Sequence, residues 1–369
     1  MIVLFEYAPW FASSLGAGYL QVGLVSTAYC ITNILGSYLW GGLSDVWRNR
    51  KLLPVLSGIS YPACLFFLSI VDSPVQIILV RGVMGFIFPA YISPVLALMS
   101  REVGVEGRGA RLGGFNSTRS LGSTLGLFLA GYMITFLELN SAFQLLAVLT
   151  VLSVPPLLLV PGELTEICMP SFSKLFSEIR KNIFPSGEGE HVLRSKGLIY
   201  MYITLSLRVI CIVGFASFLS PYIIGELGYS PEFLGYFSGY GQALIIVGMF
   251  IAGWAADKLG RKTVVNIGLL LSGLTPILYS LSGWLVTLMV ARTLHSMGYC
   301  LVMNGISTFV GDVTSEENRG AFMGLIYVFY GIGDIIGPVI MGSLLGYLGY
   351  FPMGVIMALF SLSGLVMGV

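Results

Sequence analysis

The chain has 369 residues, 56% of them hydrophobic and only 10% charged, with a formal net charge of +1. Soluble domains carry about 25% charged residues, so a water-exposed fold is excluded and a lipid bilayer is the expected solvent. The near-neutral balance gives no reason to expect a nucleic-acid partner, and Cys30, Cys64, Cys168, Cys211 and Cys300 show no CxxC pair or metal-ligand spacing.

Apolar stretches of about 20 residues, enough to cross a bilayer, follow one another along the chain. Residues 1–16 form a first, short stretch interrupted by Glu6 and Pro9; no basic segment precedes it, which argues against a cleaved signal peptide. Residues 20–43 lead into a loop reading Gly41-Gly-Leu-Ser-Asp45-Val-Trp-Arg48-Asn-Arg50-Lys51. Spans at 52–71 and 74–99 follow, the second carrying Arg81; then come Glu102 and Arg108, a span at 110–135 with Arg119, and one at 141–160. Residues 161–196 make the one long loop. Within it Phe172, Leu175, Phe176, Ile179 and Ile183 keep helical spacing between Lys174, Glu178 and Lys181, which suggests an amphipathic helix on the membrane surface. The second half repeats the plan: 197–225 with Arg208, 232–256, the loop Gly253-Trp-Ala-Ala-Asp257-Lys-Leu-Gly260-Arg261-Lys262, 263–282, 284–311 with Arg292, then Asp312 and Arg319, 321–347 with Asp334, and 351–369.

The repetition is in register. Asp45 with Asp257, Pro9 with Pro221, Arg81 with Arg292, Arg108 with Arg319 and Gly126 with Gly337 recur at one offset to within a residue. An internal duplication in so apolar a chain points to a two-lobed membrane transporter with its site between the lobes. By the same register the first span lacks its opening turns, so the first helix is expected to be incomplete. Most of the 19 Lys and Arg fall in alternate loops, whereas the opposite loops hold Asp72, Glu138, Glu226 and Glu232. The positive-inside rule puts the basic loops, and both ends of the chain, in the cytoplasm.

The loop signatures carry a family resemblance over the whole chain. Gly253 to Lys262 closely resembles the GxLaDxxGRK loop of the major facilitator superfamily; the first copy departs from it by placing Arg48 where the family has glycine. Arg81-xxx-Gly85 is similar to the family's RxxxG, Arg292-xxx-Ser296 is a variant of it, and Gly333-xxx-Gly337-Pro338-xxx-Gly342 is similar to its glycine-rich helix 11. The resemblance implies an all-α membrane protein with the twelve-helix major facilitator fold in two six-helix lobes, residues 1–160 and 197–369, joined by a cytoplasmic linker at 161–196. It also implies that helices 1, 4, 7 and 10 line a central cavity flanked by helices 5 and 11. The motif positions Gly41, Asp45, Arg50, Glu102, Arg108, Gly253, Asp257, Gly260, Arg261, Asp312 and Arg319 would form a cytoplasmic gate that latches the lobes.

Six charges lie within spans on those helices: Glu6, Arg81, Arg119, Arg208, Arg292 and Asp334. A charge at mid-bilayer costs about 3 kcal/mol on the lenient insertion scale, so such residues face a wet cavity or a partner. They are the expected substrate and coupling residues, the two acids being the candidate proton carriers and competing partners for Arg119 or Arg208. His295 beside Arg292 reads as a hydrogen-bonded core histidine, and Asn33, Asn116, Gln242 and Asn304 are secondary polar candidates. No nucleophile–base pair, metal cluster or phosphate-binding loop marks an enzyme, and no cofactor is expected. The expected function is proton-coupled secondary transport by a monomer in the cell membrane, as efflux of drugs or metabolites or as transport of a small organic anion. A non-transporting sensor or scaffold on the same fold is the alternative.

Overall fold

The structure, a computed structural model, describes residues 2–46, 52–92, 94–95, 108–158 and 197–366. Everything regular among them is helical. The long helices are α1 (Ile2–Ser14), α2 (Tyr19–Val46), α3 (Leu52–Leu68), α4 (Pro74–Ile87), α5 (Arg108–Phe136) and α6 (Leu139–Val151), then α7 (Leu198–Ala216), α8 (Pro231–Leu259), α9 (Arg261–Ser280), α10 (Leu285–Val313), α11 (Glu316–Leu348) and α12 (Tyr350–Val366). Twelve helices in two sets of six match the expected fold. The amphipathic segment expected at 161–196 lies outside the described residues.

Local chemistry sets several helix boundaries. α4 and α8 each begin with proline, Pro74 and Pro231, after a serine in extended conformation, where the missing N–H is no loss. α8 and α9 are separated by one residue, Gly260, at φ +86°. Only glycine adopts that conformation cheaply, so the signature loop turns as tightly as a chain can. α7 ends at Ala216, and the chain continues through a single turn at Leu219–Pro221 into a π-helical turn at Tyr222–Glu226. There Tyr222 packs 4.3 Å from Tyr350, ring centre to ring centre.

Eight of the described stretches are long and apolar enough to cross a membrane, while α3 and α12 are apolar but shorter. α1 has 13 residues, or about 20 Å at 1.5 Å per residue, against a hydrocarbon core of about 30 Å. Large apolar side chains such as Phe250, Trp284 and Tyr347 point outward, which suits a molecule whose surroundings are lipid.

Within the first lobe α2 packs on α4 and α3 on α6; in the second, α9 packs on α10 and α7 on α11. The lobes meet along two seams, α5 with α8 and α2 with α11. Gly131 and Gly235 bring α5 and α8 together so closely that a Cβ on Gly235 would lie 2.5 Å from the Gly131 Cα and 2.8 Å from the Leu127 carbonyl oxygen. Along the other seam Thr27 donates a hydrogen bond to the Ile335 carbonyl at 3.3 Å. Tyr7 of α1 reaches the Pro231 carbonyl at 2.9 Å. Each contact lies in the half of the molecule that carries Asp72, Glu138, Glu226 and Glu232. One apolar cluster spans both lobes there, joining Tyr7, Phe11, Leu127, Phe215, Leu234, Phe237 and Tyr279. A second, around Leu198, Leu205, Val265, Val302 and Phe322, is built almost wholly from the second lobe. Among the described residues, then, the lobes are sealed at the acid-loop end and part toward the basic-loop end.

Candidate functional site

Most of the charges singled out from the sequence are largely buried, and two of them, Glu6 and Arg292, pair across the seam. Arg292, on α10, is buried. One of its terminal nitrogens donates to the Glu6 carboxylate at 3.4 Å and to the Ser238 carbonyl at 3.2 Å. The Glu6 and Arg292 side chains are 11% and 8% exposed. The pair joins α1 of one lobe to α10 of the other across the sealed half. The Phe237 ring lies 5.2 Å from the guanidinium carbon, and Tyr279 and His295 stand within its electrostatic reach. Glu6 was expected to compete for Arg119 or Arg208; its partner is Arg292, because the seam brings the helix 1 acid against α10.

Arg81, on α4, is equally buried but has no acid. Its guanidinium carbon lies 4.4 Å from the Tyr29 ring centre, a cation–π contact with α2. The duplicated arginines therefore sit in unlike surroundings despite matching positions in the repeat.

Arg208, at the middle of α7, is fully enclosed. Its Nε donates to Ser272 Oγ on α9 at 3.1 Å, and the Tyr299 ring centre is 5.7 Å from its guanidinium carbon. Its Nη1 and Nη2 have no hydrogen-bond partner. Asp334 on α11 feels its charge but forms no ion pair with it. Asp334 is half-buried and faces the first lobe, within electrostatic reach of Tyr29 and Cys30.

Arg119 departs from expectation. It was grouped with the buried charges, yet it is exposed. It lies on the part of α5 toward the basic-loop end, beyond the Gly131 crossing, where the lobes no longer cover it. Its charge still reaches Tyr299 on α10. Two of the secondary candidates are tied to backbone: Asn33 to the Gly85 carbonyl, Asn304 to the Met249 and Cys300 carbonyls. The Asn116 side chain lies outside the described residues.

At the basic-loop end Arg261 holds two acids at once. Nη1 meets Asp257 at 2.6 Å, one helical turn back across the Gly260 corner, and Nε meets Asp312 at the end of α10 at 3.1 Å. All three are solvent-accessible and belong to the second lobe, so in this state the cluster ties α8, α9 and α10 together and not one lobe to the other. Gly41 and Gly253 occupy matching, open positions on α2 and α8. Arg50 and Glu102, and the side chains of Asp45, Arg108 and Arg319, lie outside the described residues.

No motif announces Ser238, Ser272, Tyr279, Tyr299 or Tyr330. They surround the arginines only because helices distant in sequence converge, and a serine or tyrosine in an apolar span reads as ordinary packing.

A family model described as Major Facilitator Superfamily matches residues 1–254 and 201–369. The Staphyloferrin B transporter of Staphylococcus aureus is 24% identical over 352 residues, covering 93% of this chain and 82% of that protein. The multi-drug resistance efflux pump PmrA of Streptococcus pneumoniae is 22% identical over 360 residues, covering 93% and 85%. Among solved structures, the nucleoside transporter NupG superposes with a TM-score of 0.74 at 13% identity, covering 99% of this chain and 97% of that one. A bacterial homologue of the human lysosomal transporter Spinster, in an inward-facing and unoccupied conformation, gives 0.71 at 14%, covering 98% and 88%.

Proposed function

The chain belongs to the Major Facilitator Superfamily, and from that premise we propose that it is a proton-coupled secondary transporter that moves a small molecule across the membrane by alternating access. The observation that carries this reading is a buried ion pair, Glu6 with Arg292, made across two lobes that among the described residues meet at the acid-loop end. With the basic loops in the cytoplasm, the sealed end is external and the state is inward-facing. Relatives described as a multi-drug resistance efflux pump and as a Staphyloferrin B transporter support small-molecule transport. The molecule then works as a monomer in the cell membrane, with both ends of the chain cytoplasmic. Residues 161–196 serve as a tether between lobes.

Of the two buried-span acids, Glu6 is engaged by Arg292, whereas Asp334 has no ion-pair partner among the described residues. Asp334 is therefore the proposed proton carrier. In proteoliposomes under a pH gradient, Asp334→Asn is expected to lose gradient-driven accumulation at least tenfold while exchange of substrate down its own gradient persists. Full accumulation by this variant would remove Asp334 from the coupling step.

The Asp257–Arg261–Asp312 cluster is the proposed second-lobe half of the cytoplasmic gate. Because its members are solvent-accessible, their pairing contributes little to folding, and its use lies in holding three helix ends at fixed spacing. Asp257→Asn is expected to slow transport severalfold with an unchanged melting temperature, and to raise cytoplasmic labelling of cysteines placed in the cavity. Normal transport with normal labelling would make the cluster a surface feature only.

A further inference from the structure

Arg208 is a buried charge whose hydrogen-bond account does not close at either terminal nitrogen. A guanidinium carries five N–H groups and no acceptor. Here one edge is engaged, Nε on Ser272 Oγ, and the opposite edge, Nη1 with Nη2, is buried and unpartnered. Burial of an ionised group without a partner is costly. Each neighbouring remedy is absent. Glu6 is committed to Arg292, Asp334 makes no ion pair, and Tyr299 offers only the face of its ring, at 5.7 Å. Arg81 also has two unpartnered nitrogens, Nε and Nη1, but they do not make up the paired terminal edge, and an aromatic face covers its guanidinium more closely, at 4.4 Å. Around Arg208 stand Tyr299, Tyr330 and Asp334, all half-buried and all within its electrostatic reach.

We propose that Arg208 is the docking point for a carboxylate group of an organic anion substrate, received end-on by Nη1 and Nη2. This rests on the transporter reading above and adds the chemistry of the cargo. The free edge presents two parallel N–H groups, the spacing a carboxylate's two oxygens accept. With Nε held by Ser272, the side-on approach is closed, which leaves one orientation for the ligand. A single carboxylate charge balances a single guanidinium, whereas a doubly charged phosphate would leave an excess next to Asp334. Arg208 is fully covered in this state, so admission requires Tyr299 or Tyr330 to swing aside, and the arriving anion is then enclosed with it. Arg119, exposed where the lobes part and felt at Tyr299, draws anions toward that layer. Asp334, the proposed proton carrier, faces the same guanidinium as a negative competitor. Proton uptake at Asp334 and anion binding at Arg208 therefore favour one another.

The test uses the full chain, purified and also reconstituted in proteoliposomes, with benzoate, succinate, inorganic phosphate and the cation ethidium as probes. The expected result is thermal stabilisation by benzoate or succinate and weaker stabilisation by phosphate. Arg208→Lys should weaken carboxylate binding at least tenfold although charge is kept, and Arg208→Gln should abolish it. Asp334→Asn, which leaves Arg208 untouched, should tighten carboxylate binding severalfold and covers the case in which the arginine variants do not fold. Ethidium transport with no response to carboxylates, tighter binding of phosphate than of carboxylates, or unimproved carboxylate binding by Asp334→Asn would each overturn the assignment while leaving the transporter reading intact. Transport of no probe under any gradient would instead count against the transporter reading, a separable failure.

Discussion

Glu6→Ala is expected to move the resting population from sealed to open at the acid-loop end by about two decades. The carboxylate and Arg292 are 11% and 8% exposed, and the pair is assembled from both lobes. Removing one member of such a buried pair leaves the other charge without its partner, at a cost of about 3 kcal/mol or more, or roughly a hundredfold in an equilibrium. That cost falls only on the sealed state, because opening this end wets Arg292. Spin labels at Ser14 on α1 and Tyr347 on α11, both exposed, would report the change as a longer distance distribution. A double variant, Glu6→Gln with Arg292→Gln, should recover much of the sealed population, since neither member then carries an orphaned charge. An unchanged distribution in Glu6→Ala would show that the seam is held by apolar packing alone.

Gly235→Val is the second large effect, and it acts through space and not charge. The Gly131–Gly235 crossing has no room for a Cβ, and what it would strike is backbone, which cannot rotate away. Overpacking costs about 1–3 kcal/mol, and the clash exists only while α5 and α8 are in contact. Transport should fall more than tenfold with each lobe still folded, the label distances shifting as for Glu6→Ala. Gly122→Val on α5 is the matched control. A Cβ there meets nothing within 4 Å, so that variant should transport normally. Equal transport by the two variants would mean that α5 and α8 do not close on one another during the cycle.

That contrast between two glycines marks where reading the sequence stops. The spaced glycines Gly122 and Gly126 look like a helix-contact motif, yet a Cβ on Gly122 would meet nothing within 4 Å among the described residues, whereas Gly333 and Gly337 of the matching helix do lie against α7. The crossing that matters uses Gly131, inconspicuous among 47 glycines. The helices themselves were legible because a bilayer enforces a length and a composition, and the two lobes because duplication leaves landmarks in register. The arginines stood out because charge is scarce in a span. Their partners did not. Glu6 and Arg292 are 286 positions apart, and no periodicity connects α1 to α10. Ser272 beneath Arg208 is one serine among many. Arg119 misled because depth along a helix was taken for burial, whereas burial depends on where the neighbouring lobe ends.

The unpartnered edge of Arg208 has an electrical consequence. A full elementary charge moved across 100 mV is worth about 2.3 kcal/mol. If rocking of the lobes carries this guanidinium through a tenth of the membrane's voltage drop, that charge alone contributes a bias of about 0.2 kcal/mol per 100 mV. In the empty protein the ionised Asp334, on the same lobe, offsets it; in the loaded protein the substrate carboxylate does, while the proton neutralises Asp334. Membrane voltage then has little hold on either stroke, and the pH gradient is left to drive the cycle.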